Sequence, residues 1–112
     1  MKAERVEHDV HFLGEQSGPA EMDFSAKLIP VLRAERDVRM AYLAQVRYGS
    51  SGATEVAVCI ALKTGREDPG LVASVGIIFA AMFGPQEHLD VLFVDKDREE
   101  AVRSVCRPFY SQ

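Results

Sequence analysis

The chain has 112 residues, 47% of them hydrophobic and 27% charged, with a formal charge of -4. That is enough apolar material for one cooperatively folding domain, 1–112, and too little chain for a second core. Acidic and basic residues are intermingled along the sequence, which excludes the concentrated basic footprint that generic nucleic-acid binding needs.

Cys59 and Cys106 both fall in apolar periodic segments, which favours two buried thiols in a reducing compartment over a disulfide. Met1-Lys2-Ala3-Glu4-Arg5 is followed by charged residues instead of a signal-peptide core. The longest uncharged run, Leu71 to Phe83, spans about 20 Å as a helix, short of the roughly 30 Å hydrocarbon layer. The expectation is a cytoplasmic protein that does not use a membrane.

Val6, Val10 and Phe12 alternate with polar neighbours and predict a short first strand, followed by a turn from Gly14 through Pro19. Phe24, Leu28 and Leu32 recur every four residues and predict a helix from about Asp23 to Glu35. Pro30 removes an amide donor inside it, so a kink or a late start is expected. Val38 to Tyr48 alternates as a long strand, turns through Gly49-Ser50-Ser51-Gly52, and returns as a second strand from about Glu55 to Leu62. The packed face of this hairpin is expected to draw on Val46, Val56, Val58, Ile60 and Leu62.

Asp68 can cap a second helix with Pro69 in its first turn, and Gly84-Pro85 stops it. Leu89, Val91 and Phe93 alternate in a last strand. Asp97 and Glu100 have capping-box spacing for a last helix that buries Ala101, Val102, Val105 and Cys106 and ends before Pro108. The order β-α-β-β-α-β-α predicts an α+β domain: a split-βαβ, ferredoxin-like four-stranded sheet with two covering helices and an additional C-terminal helix.

Several stretches carry a family resemblance. Val38-Arg39-Met40-Ala41-Tyr42-Leu43-Ala44-Gln45-Val46 resembles the entry strand of the C-terminal domain of SseB, the enhanced serine sensitivity protein. His88-Leu89-Asp90-Val91-Leu92-Phe93-Val94 resembles its late strand, and Val105-Cys106-Arg107-Pro108-Phe109-Tyr110 its closing segment. Phe12-Leu13-Gly14-Glu15 fits its early strand exit, so the likeness runs from about residue 10 to residue 111. The resemblance implies a bacterial protein linked to serine tolerance, with no established catalytic residues to carry over. It also implies fuller relatives with two domains, of which a chain this long holds the latter.

The candidate sites are few. His8 and His11, three apart, point to opposite faces of a strand and make no shared metal site, for which zinc requires three or four ligands. His88 and Asp90 share parity and, with Arg66, are candidate ligand contacts; no nucleophile elbow lies nearby. Cys106 near a helix C-terminus lacks the dipole that lowers a thiol pKa. Gly65, Gly70 and Gly76 miss both nucleotide-loop fingerprints, so no cofactor is expected. Arg33, Arg36 and Arg39 read as a solvated helix exit beside Glu35 and Asp37, and Tyr42 and Tyr48 as sheet packing.

Within the uncharged helix, Leu71, Val75, Ile78, Phe79, Met82 and Phe83 can pack inward. That leaves Ala73, Ile77, Ala80 and Ala81 as a candidate interface for a homodimer or another protein. A noncatalytic interaction or regulatory module is therefore the leading reading. A small-molecule or anion-binding module with a sheet-edge pocket is second. An enzyme is third, because no nucleophile, base and orienting group come together.

Overall fold

A computed structural model of the chain describes residues 10–49 and 52–112. The elements are β1 (Val10–Glu15), α1 (Pro19–Ala34), β2 (Val38–Tyr48), β3 (Thr54–Leu62), α2 (Pro69–Phe83), β4 (Asp90–Phe93), α3 (Lys96–Arg103) and β5 (Pro108–Ser111). The α+β architecture is as expected, with a mixed sheet in the order β1-β2-β3-β4, α1 and α2 against it and α3 added, consistent with a split-βαβ-like fold. β1, β2 and β3 pair antiparallel, and α2 carries the chain over to β4, which runs parallel to β3.

One strand was not anticipated. The segment after Pro108 forms β5, which pairs antiparallel with β2. β2 is long enough to share one edge between two short strands: Ala44 to Tyr48 face β1, and Met40 to Tyr42 face β5. Its other edge pairs with β3 from Val38 to Arg47. The proline read only as a helix stop is also a strand start, a place where its missing amide is tolerated.

Alternation divides the sheet residues between two faces. Ala41, Leu43, Val58 and Ile60 pack with Phe24, Leu28 and Leu32 of α1 and Leu71 and Val75 of α2. Tyr42, Ala44, Val46, Ala57 and Cys59 pack on the reverse face, which α3 closes with Val102. Val46 therefore lies opposite Glu55, on the face away from Val56, Val58 and Ile60, and not with them as strand alternation predicts. An irregularity between Val38 and Met40 turns Val38 to the helix-covered face, so parity counted from the strand start does not hold throughout.

The first strand is found from Val10 onward and continues through an irregularity between Phe12 and Gly14, where a turn was expected; Val6 lies outside the described residues. α1 begins earlier than expected, with Pro19 in its first turn after Gly18, whose φ is 148°. Pro30 sits inside the helix on an exposed position, so the carbonyl that loses its donor belongs to the exposed Ala26 and is open to water. Phe24 meets Phe79 and Phe83 edge-on at centroid distances of 5.6 and 5.8 Å and fixes α1 to α2.

α2 begins and ends where Asp68 and Gly84 place it. The Asp68 carboxylate accepts from the Leu71 amide at 3.1 Å, and Gly84 closes the helix at φ 87°. α3 starts two residues before the expected capping box, because Asp95 is the cap and accepts from the Arg98 amide at 2.9 Å. It buries Val102, with Cys106 just beyond it, whereas Ala101 and Val105 are exposed.

Candidate functional site

Among the described residues α2 is covered on one side only. Leu71 and Val75 are buried and Ile78, Phe79, Met82 and Phe83 are half-buried against the core. Ala73, Ile77, Ala80 and Ala81 lie on the opposite side and are exposed, Ile77 to 71%. Spaced by three, four and eight residues, they form one crest along the helix. No residue of the helix is charged.

Beside that crest a cleft of about 530 Å³ runs along β4. Every residue from Leu89 to Phe93 lines it, and Val72, Gly76, Phe79 and Ala80 of α2 form one wall. Residues of both parities on β4 take part, so the cleft follows the edge of the strand and not one face of it. Among the described residues β3 is the only strand that pairs with β4.

At the start of β4 the Asp90 carboxylate binds two groups. Tyr48 Oη donates to Asp90 Oδ2 at 2.6 Å, and His88 Nε2 lies 2.6 Å from Asp90 Oδ1. His88 and Asp90 thus stand together, as their parity predicted, and their contact fixes which imidazole nitrogen faces the carboxylate. Arg66 is exposed in the loop before α2 and does not line the cleft; the nearby charged lining comes from Glu67, Glu87 and Arg98.

A second polar cluster escaped sequence reading. Glu99 is 3% exposed on α3 and lies over the reverse face of the sheet. It pairs with Arg39 of β2 and accepts from Arg103 Nη2 at 2.9 Å and Tyr42 Oη at 3.0 Å. Burial pushes its pKa up, but the bonds from Arg39, Arg103 and Tyr42 together hold it below the ordinary carboxylate range. Arg39 is exposed like Arg33 and Arg36, and in addition its guanidinium pairs with Glu99. Glu99 and Arg103 are four apart, which was a visible signal for an ion pair on a helix. Their partners on β2 are 57 and 60 residues distant and left no local mark.

Tyr42 and Tyr48 both use their hydroxyls on carboxylates, Glu99 and Asp90, and neither ring offers a stacking platform at a basic surface. The cysteines are both buried and unpaired with one another. Burial raises Cys59 to about 12 and Cys106 to about 11, so both remain thiols at neutral pH. Cys106 Sγ donates to the Leu43 carbonyl at 3.4 Å. His11 is exposed on β1, and His8 lies outside the described residues. Among the described residues no three His, Cys, Asp or Glu side chains are placed to hold a metal ion, and no helix is long and apolar enough to cross a membrane.

Comparison with curated proteins and with solved structures gives no match. The sequence model of the SseB protein C-terminal domain matches residues 13–112. The match starts within β1 and takes in the β2–β3 hairpin, the uncharged α2, the α3 carboxylate clamp and β5. The chain belongs to the SseB protein C-terminal domain family.

Proposed function

We propose that this domain works by association, with the α2 crest of Ala73, Ile77, Ala80 and Ala81 as its contact surface and a second copy of the chain as the occupant. The observation that carries this reading is Ile77, 71% exposed at the centre of a 15-residue helix without a charge. A two-fold contact places a surface against itself, so any charge on the crest would meet its like; here there is none. Alanines on both sides of Ile77 let two helix axes approach to about 8 Å.

The energetics set the strength of the contact. The apolar gain comes from Ile77 and three alanines of each copy, a small crest that leaves little surplus over the cost of association. A weak dimer, with a Kd on the order of 10–100 µM, is the expected outcome. We further propose, on the family resemblance alone, that such association serves bacterial amino-acid physiology, serine tolerance in particular.

Sedimentation equilibrium from about 5 to about 500 µM tests it. The natural chain should pass from monomer to dimer, and Ile77→Lys should weaken the dimer by roughly ten-fold or more. Because Ile77 is exposed, the variant should keep its folding stability to within about 0.5 kcal/mol. A monomer across the whole range, or a dimer indifferent to Ile77→Lys, contradicts the reading.

A second reading has its own support. The paired 2.6 Å contacts of Asp90 with Tyr48 and His88 hold a fixed polar group in a cleft that combines apolar walls with charged side chains, features of a ligand site.

A further inference from the structure

The cleft along β4 has a shape that a compact ligand does not require. It follows an edge of a strand that no other described strand pairs with, for the strand's full length, between a helix wall and residues of the reverse face. The direction of the strand's backbone groups is fixed by its one neighbour. The Val94 amide donates to the Ile60 carbonyl at 2.9 Å, so it points toward β3. Backbone groups alternate along a strand, so Leu92 and Asp90 also point toward β3, and the N–H and C=O of Val91 and Phe93 point into the cleft. An exposed edge of this kind is a template for one more strand.

From this we infer that the β4 edge takes an extended peptide as an added strand, with alternating apolar and basic side chains. The inference rests on the reading of the His88–Asp90 cleft as a ligand site and names its ligand class. Strand addition draws affinity from main-chain hydrogen bonds and specificity from pockets for alternate side chains. Val72, Phe79 and Leu89 offer apolar surface for one set of side chains. The carboxylates of Glu67, Glu87 and Asp90 outnumber the single guanidinium of Arg98 and favour lysine or arginine for the other set.

The same charges argue against a second copy at this edge. A two-fold β4–β4 pairing would bring both sets of carboxylates into one trough, where like charges oppose association. The uncharged crest of α2 carries no such penalty, so the two surfaces suit different partners. β4 has four residues, short enough to remain unpaired in the absence of a peptide without becoming a general aggregation edge.

The test uses the whole chain and a synthetic peptide of about eight residues alternating lysine with valine, with a glutamate-for-lysine counterpart as control. In nitrogen-15 spectra the lysine peptide should shift the amides of residues 89–93 and slow hydrogen exchange at Val91 and Phe93. The glutamate peptide should bind at least roughly ten-fold more weakly. Two further lysine peptides, N-methylated on one or the other alternate set of amides, should differ sharply, since only one set can bond to β4. Equal binding of the two methylated isomers overturns strand addition. So does a shift confined to His88 and Asp90 with Val91 and Phe93 unprotected, although that result keeps a ligand cleft. No shift anywhere in the cleft overturns both the added strand and the ligand site.

Discussion

Among the described residues Glu99 is the only buried charged side chain, and the fold holds it ionised by surrounding it. Three donors reach its two oxygens: Arg39 on Oε1, and Arg103 and Tyr42 on Oε2. Removing the carboxylate leaves two guanidinium groups without their partner, but both are about half exposed and return to water. Glu99→Gln should therefore cost about 2–3 kcal/mol at pH 7, at the low end for breaking a buried pair. The pH dependence has a definite sign. The folded-state pKa of Glu99 is lowered, so its contribution is full above the unfolded value near 4.3 and fades as the pH falls through the folded pKa. Urea unfolding at pH 7 and near pH 3 should show the gap between natural chain and variant closing; a gap of constant size contradicts the clamp. This residue was illegible in the sequence because its significance depends on burial, and burial on partners about 60 positions away. His88 and Asp90 were legible because residues two apart in an extended segment point the same way, although the strand itself begins only at Asp90.

Elements with local punctuation were read closely, and elements without it were not. β2 and α2 are bounded by a turn, a cap or a stop that a few adjacent residues supply: Gly49, Asp68-Pro69 and Gly84-Pro85. Asp68→Ala removes the acceptor for the Leu71 amide and should cost about 1 kcal/mol, read as a shift in the denaturant midpoint with an unchanged slope. At α3 two acidic residues competed for one role. Asp97 has the better capping-box spacing on paper, yet Asp95 holds the cap, because that start brings Glu99 and Val102 down on the sheet. β5 had no signal of its own: four residues beginning with proline resemble a tail until β2 supplies an unpaired edge. Tyr110 buries its ring in the helix-covered core, so Tyr110→Ala should cost about 3 kcal/mol. It should also release the exchange protection of the Met40 and Ala41 segment opposite β5. A loss under 1 kcal/mol would make β5 an ornament of the sheet rather than part of it.

At the scale of the molecule, the α+β class and the helix packing follow from periodicity, and the arrangement of the sheet does not. Apolar spacing told which residues need cover, but not that β2 would hold two strands on one edge or that α3 would close the reverse face. The same limit applied to the uncharged run at Leu71 to Phe83. Sequence alone could not decide whether Ile77 turns to the core; the sheet offers α2 one side to pack on, and Ile77 is left outside. The result is a domain with two adjacent and differently charged surfaces on one flank, an apolar crest and an acidic-lined strand edge. The crest is proposed as the contact between copies. Nitrogen-15 spectra over a dilution series locate such a contact directly. Concentration-dependent shifts are expected at Ala73, Ile77, Ala80 and Ala81, with α1 and α3 silent. Spectra that do not change with concentration, or shifts that gather on α1 or α3, would contradict that assignment.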